Sequence, residues 1–359
     1  MNHVQYLFRH GLTPDKIRSL DVANLKITHL DYSFIYLTED GALTSDKEQA
    51  PTEGDILVDE HVRPVLEALA DLRKANPSLS IMLSLGGGDR QQSGCFRTVV
   101  ADLDKVERLG RACGQYLQEF DFDGIDVDWE YPENEEEILQ FINLLKVIRK
   151  NIGNTKLLSS ALPVGQVLAN FSPSHVSEIN GLMDFWNLMT YDLGLFQNYS
   201  FVAPYDTAND DENYGYSSLY GGVEQMHEIG VPYDHMNVGV PSYGKLWREI
   251  PDLTVADLGH FFGRKFEGPR ARTLHYRMLE DVLQEPGWNE LWLETPRCPI
   301  YYKVQGDRIT DLIAMDNLQA TAEKCRLIRS KGCAGVMMWC LNGDNENYDI
   351  CQVIASEID

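Results

Sequence analysis

The strongest constraint in this sequence is an alternation, sustained along nearly its whole length, of short apolar runs with longer amphipathic stretches. Eight runs read as strands, at residues 4–7, 27–36, 79–85, 122–129, 156–162, 183–189, 236–241 and 335–340. Between them, residues 60–74 place Val62, Val65, Leu66, Leu69 and Leu72 on one stripe of a helix, and 104–119, 135–150, 219–229 and 318–329 repeat the pattern. A strand separated from the next by a helix crosses over, so the alternation predicts a parallel sheet. Eight such units fit an α/β chain folded as a (β/α)8 TIM barrel. A doubly wound open sheet is the alternative, but it usually carries a Gly-rich turn after its first strand, and Arg9-His10-Gly11 is not one. The excess over a bare barrel of about 250 residues falls between Pro241 and Gly335. There, 273–283 reads as a helix and 300–304 with 308–312 as a strand pair around Gln305-Gly306-Asp307. The expected organisation is a barrel of residues 1–244 and 311–359 with a small α+β insertion, 245–310, between strands 7 and 8 on the catalytic face.

The segment Phe122-Asp123-Gly124-Ile125-Asp126-Val127-Asp128-Trp129-Glu130-Tyr131-Pro132 alternates carboxylates with large apolar residues. Period-2 geometry puts Asp126, Asp128 and Glu130 on one face, about 6.5 Å apart in succession. In a barrel that face points inward, and Glu130 reaches the C-terminal rim before Pro132 ends the strand. A calcium loop would set its acids among turn-forming Gly and Asn, whereas these are interleaved with Ile, Val and Trp. Three enclosed carboxylates cannot all ionise cheaply, so a proton is retained, and a rim carboxyl that holds a proton is a general acid. Asp123 has the opposite parity and reads as a structural support.

Composition narrows the partners. With 31 Lys plus Arg against 55 Asp plus Glu, the formal charge of −24 argues against nucleic acid and against anionic membranes. No apolar run approaches the ~18 residues of a spanning helix, and the N-terminus shows no signal-peptide cleavage site. The seven cysteines form no C-x-x-C pair and the nine histidines no zinc spacing, so small buried thiols are expected, and neither a metal nor a cofactor is assigned.

The run Asp123-x-x-Asp126-x-Asp128-x-Glu130 resembles the D-x-x-D-x-D-x-E signature of family 18 glycoside hydrolases, the chitinases and their relatives. Thr28-His29-Leu30-Asp31-Tyr32-Ser33-Phe34, Leu83-Ser84-Leu85-Gly86-Gly87, Met189-Thr190-Tyr191-Asp192, Val240-Pro241-Ser242-Tyr243-Gly244 and Gly335-Val336-Met337-Met338-Trp339 resemble further strands of that family. The insertion is similar to that of its bacterial exo-acting type.

The resemblance implies retaining hydrolysis of β-1,4-linked N-acetylglucosamine polymers, with the substrate's acetamido group as nucleophile. It assigns Glu130 as acid and then base, Asp128 to the acetamido N–H, Asp126 to sharing a proton with Asp128, and Tyr191 to the acetamido carbonyl. Asp192 would grip the distorted sugar and Trp339 would floor it, with Met189, Tyr243, Ser84, Phe34 and Tyr6 completing the substrate site. Taken alone, Trp339, Phe34, Tyr6 and Met189 would read as core, Ser84 as part of a turn and Tyr243 as a packing aromatic. Departures from the family pattern are Gly88, where many relatives carry Trp, Lys245 in place of a frequent Arg, and Leu193-Gly194-Leu195-Phe196 after Asp192. Arg270 or Arg272 could then steady Asp192, and Phe196 is a candidate platform. The expected partner is chitin or N-acetylglucosamine oligosaccharides, met by a monomer. Secretion is favoured by the resemblance, with a cytoplasmic or complex-associated chain as the alternative. The competing activities are an endo-β-N-acetylglucosaminidase acting on N-glycans and a non-catalytic chitin-binding lectin; the lectin would usually have lost the acid that Glu130 retains.

Overall fold

The structure is a computed structural model that describes residues 1–165, 170–194, 198–206, 218–261 and 263–358. Eight parallel strands close on themselves: β1 (Asn2–Phe8), β2 (His29–Leu37), β3 (Ser80–Gly86), β4 (Gly124–Asp128), β5 (Leu157–Pro163), β6 (Phe185–Met189), β7 (Met236–Pro241) and, after the insertion, β13 (Gly335–Trp339). The ring is completed by pairing β1 with both β2 and β13. All eight runs read from the sequence are strands of this barrel.

Helices surround it in chain order: α1 (Pro14–Arg18), α2 (Arg63–Ala75), α3 (Arg90–Val100), α4 (Leu103–Phe120), α5 (Glu135–Ile152), α6 (Pro173–Asn180), α7 (Leu219–Glu228), α9 (Leu318–Ser330) and α10 (Asp349–Glu357), with α8 (Leu279–Leu283) in the insertion. The sequence punctuates them. At α5 the Asn134 side chain accepts from Glu137 N, Glu135 to Glu137 fill the first turn, and Arg149 and Lys150 the last, as the dipole favours. The stripe Ile138, Phe141, Ile142, Leu145 and Ile148 is buried, each side chain contributing about 1.5–3 kcal/mol by leaving water. These stripes and the outward residues of the strands form the main core.

The insertion is a five-stranded antiparallel sheet: β8 (Tyr243–Arg248), β9 (Arg272–His275), β10 (Asn289–Leu293), β11 (Cys298–Gln305) and β12 (Arg308–Ala314), in the order β9-β8-β12-β11-β10. The sheet begins at Tyr243 and ends at Ala314, so its outer residues enter segments assigned above to the barrel. The hairpin around Gln305-Gly306-Asp307 is present. The helix expected over 273–283 is not one element. Its start is the strand β9, because Leu274 and Thr273 ladder onto Gly244 and Lys245, and the α-helix begins only at Leu279. A separate core of Trp247, Phe261, Phe266, Cys298, Ile300 and Leu312 holds the sheet, and Tyr199 and Phe201 of the segment after β6 are built into it.

Candidate active site

The residues flanking β4 meet its acids at matching heights. Ser84 of β3 and Ser159 of β5 stand beside Asp126 in the register, and Gly86 beside Asp128. Asp126 is fully buried and accepts four hydrogen bonds: from Tyr6 and Ser84 hydroxyls at Oδ2 (2.8 Å each), and from Ser159 Oγ (2.6 Å) and Asn187 Nδ2 (3.2 Å) at Oδ1. Asp128 is 3% exposed, and its Oδ1 has no hydrogen-bond partner among the described residues. Glu130 follows, half-buried at the rim. Between them Trp129 faces outward, stacked on Phe96 (5.5 Å between centroids, 13°), which anchors the strand end. Ser93 Oγ donates to the Glu130 carbonyl, and Arg97 donates to that of Tyr131 (3.2 Å).

This graded environment sorts the three acids. Burial pushes the Asp128 carboxyl well above the usual range, and the like charges of Glu130 and Asp126 push it further. Burial also raises Glu130, aided by the charge of Asp192 and opposed by a hydrogen bond from Tyr131. Asp126 is raised by burial too, but the hydrogen bonds from Ser159, Tyr6, Ser84 and Asn187 favour its charged form. Charge therefore settles on Asp126, while Asp128 and Glu130 are the acids able to hold protons.

Opposite this row lies an aromatic wall. Trp339, half-buried at the end of β13, stacks on Phe34 (5.4 Å, 20°) and is flanked by Tyr6 (5.6 Å) and Phe8 (5.7 Å). Met189 is buried in the same cluster, which Tyr131 and Tyr191 line. Tyr191 meets Tyr243 edge-on at 6.3 Å, and the Tyr243 hydroxyl donates to Asp192 Oδ2 (2.7 Å). Non-proline cis peptides occur at Ser33-Phe34, Glu130-Tyr131 and Trp339-Cys340, three strand ends that line this space. Of the candidates, Asp128, Asp126, Trp339, Met189, Ser84, Phe34 and Tyr6 lie on barrel strands, Glu130, Tyr191 and Asp192 just beyond the ends of β4 and β6, and Tyr243 at the start of β8 in the insertion. Phe196 lies outside the described residues.

A family model described as Glycosyl hydrolases family 18 matches residues 4–344. The chain belongs to this family. Among its relatives, an endochitinase of Manduca sexta is 27% identical over 349 residues, a match covering 90% of this chain and 60% of that protein. Endochitinase 1 of Metarhizium robertsii is 26% identical over 362 residues, covering 96% and 82% respectively. A solved mutant of a class V chitinase from Nicotiana tobaccum, in complex with NAG4, superposes with a TM-score of 0.81 at 19% identity, covering 99% of this chain and 98% of that one. This chain spans 60% of the length of the Manduca sexta protein.

In this member of family 18, Asp123 is clamped away from the cleft, as its parity implied. Arg73 donates to both its oxygens (2.8 and 2.6 Å) and Ile81 N donates to Oδ2 (2.9 Å). One cation whose field reaches Asp192 is Lys245, which is 8% exposed and donates to Ser200 Oγ (2.7 Å). Burial pulls the Lys245 ammonium below its usual value, and Asp192 opposes this. Ser159, Asn187 and Lys245 were not read as site residues. Asn187 shares strand parity with Met189, and that was the one local sign available. Among the described residues no cluster of three or more His, Cys, Asp or Glu could hold a metal ion, and all seven cysteines are buried and free.

Proposed function

We propose that this chain is a chitinase that cleaves β-1,4 bonds between N-acetylglucosamine units with retention, using the substrate's acetamido group as nucleophile. The observation that carries the reading is the graded row Asp126, Asp128 and Glu130: one acid bound by four donors, one with an unpartnered inward oxygen, one half-exposed at the rim. Glu130, whose carboxyl burial raises above the usual range, gives its proton to the glycosidic oxygen as the bond to C1 breaks. The acetamido carbonyl oxygen closes on C1, and its N–H, which becomes acidic as the ring forms, donates a hydrogen bond to Asp128, whose own proton passes to Asp126 so that Asp128 carries the negative charge beside the ring. In the resting site Asp126 holds the charge and shares the proton with Asp128. Glu130, now a carboxylate, takes a proton from the water that opens the ring. Tyr191 orients the acetamido carbonyl, Asp192 and Tyr243 hold sugar hydroxyls, and Trp339 offers an apolar ring to the sugar face.

A polymer substrate places this action outside the cell, and no helix among the described residues is long and apolar enough to cross a membrane. The reading is tested with a fluorogenic chitotrioside offered to the wild type and to Glu130→Gln. Release by the wild type and a loss of ~10²–10⁴-fold in the variant is expected; no release from folded wild type would overturn it. Release from an N-glycan core in preference to the chitotrioside would point to the endo-β-N-acetylglucosaminidase activity instead.

A further inference from the structure

Asp31 has no role in the scheme above, yet it is a third acid sealed inside the barrel. It lies on β2, beside Tyr6 and Met82 in the register, and is fully buried. Its Oδ2 meets the same amide nitrogen that serves Asp126: Asn187 Nδ2 is 3.3 Å from Asp31 Oδ2, 3.2 Å from Asp126 Oδ1 and 3.0 Å from Tyr6 Oη. The amide cannot turn over freely, because its oxygen accepts from Asn237 Nδ2 (3.0 Å).

Hydrogens can be counted here. An amide nitrogen carries two, and three oxygens converge on it. Tyr6, Ser84 and Ser159 have already directed theirs at Asp126. Two ionised carboxylates at this amide would be short of donors, and a neutral carboxyl needs fewer, so one of the two acids holds a proton. Asp126 has four donors, whereas Asp31 has one at the longest distance of the three and an Oδ1 with none among the described residues, so Asp31 is the acid that carries it. Two ionised carboxylates on one buried amide would also repel strongly. The titratable groups around Asp31 are Tyr6 from β1, Asp126 and Asp128 from β4, and His29 two residues earlier on β2. His29 offers no positive charge, since burial pulls its imidazole down to about 4. Burial first, and then the charge of Asp126, push the Asp31 carboxyl well above the usual range, against the hydrogen bond from Asn187.

We propose that Asp31 is a positioning residue of the catalytic row, a neutral acid that, with Asn187, keeps Asp126 as the single charge beneath Asp128. This rests on the substrate-assisted reading. An ionised Asp31 would pin the shared proton on Asp126 before substrate binds, whereas a neutral one leaves it free to pass between Asp128 and Asp126 as the acetamido ring forms.

Infrared spectra and kinetics of wild type, Asp31→Asn and Asp31→Leu test this. At pH 7, where exposed carboxyls are ionised, the wild type minus Asp31→Asn spectrum should show one C=O band of a protonated carboxyl; its absence would overturn the proposal. On the chitotrioside, Asp31→Asn, which is neutral and can still serve Asp126, should retain kcat within a few-fold. Asp31→Leu should lose roughly 10- to 100-fold in kcat with KM little changed. Equal damage in both variants, or none in either, would overturn it, and should Asp31→Leu fail to fold, the band and the Asp31→Asn kinetics still decide. A wild type without turnover would sink the hydrolase reading, on which the infrared band does not depend.

Discussion

Gly88 stands against Glu130: a Cβ at this glycine would lie 3.1 Å from each carboxylate oxygen. The bare backbone leaves the Glu130 carboxyl room to turn, as the acid and base roles proposed for it require. Gly88→Ala should therefore crowd the flexible end of Glu130 and leave the fold intact. We expect kcat/KM to fall roughly 10-fold with a Tm within ~2 °C of wild type, measured by chitotrioside kinetics and thermal melts. Unchanged kinetics would show that Glu130 does not use this space.

Glu130→Gln tests stability as well as chemistry. The carboxyl of Glu130 is raised in the folded chain by burial and then by Asp192, so folding favours its protonated form. Its contribution is fully present below the ordinary Glu value of about 4.3 and is lost as pH rises through the raised value. Melts at several pH values should show Glu130→Gln gaining Tm over wild type near neutrality and matching it near pH 4. A gain confined to acid pH would contradict the assigned direction.

Tyr243→Phe removes one hydroxyl and its 2.7 Å hydrogen bond to Asp192. A hydrogen bond to a charged group contributes about 1.5–3 kcal/mol, so kcat/KM should drop by roughly 10-fold or more if Asp192 must be held in place to grip the sugar. Retention of full activity would mean that Lys245 suffices to orient it.

Arg73→Ala should do the reverse. Its bidentate clamp on Asp123 ties α2 to the entry of β4, away from the rim. We expect about 1–3 kcal/mol of lost stability from the uncompensated Asp123, read as a lower denaturation midpoint, with kcat on the chitotrioside unaltered.

The barrel was legible in the sequence because each strand is a local apolar run, and the row Asp126, Asp128 and Glu130 because period 2 alone aligns it. What stayed hidden depends on partners far along the chain. Asn187 acquires meaning only where β6 meets β1, β2 and β4. Lys245 looked like a replacement for an arginine until the fold set it near Asp192. The strand Arg272–His275 has helix-compatible neighbours, and only the open ladder of Tyr243–Arg248 draws it into a sheet. Local periodicity carries no trace of such pairings.

Tyr199 joins the segment after β6 to the insertion by three kinds of contact. Its N–H donates to Arg264 O (2.9 Å), its hydroxyl donates to Asp252 (2.8 Å), and its ring packs against Trp247 and Phe266. Residues around Tyr199 are thereby riveted to the insertion; on the function proposed above, a sugar chain would meet a trough held in shape instead of a clasp that shuts on it. Product lengths should then follow from where this trough ends, as a mould sets the length of its casting.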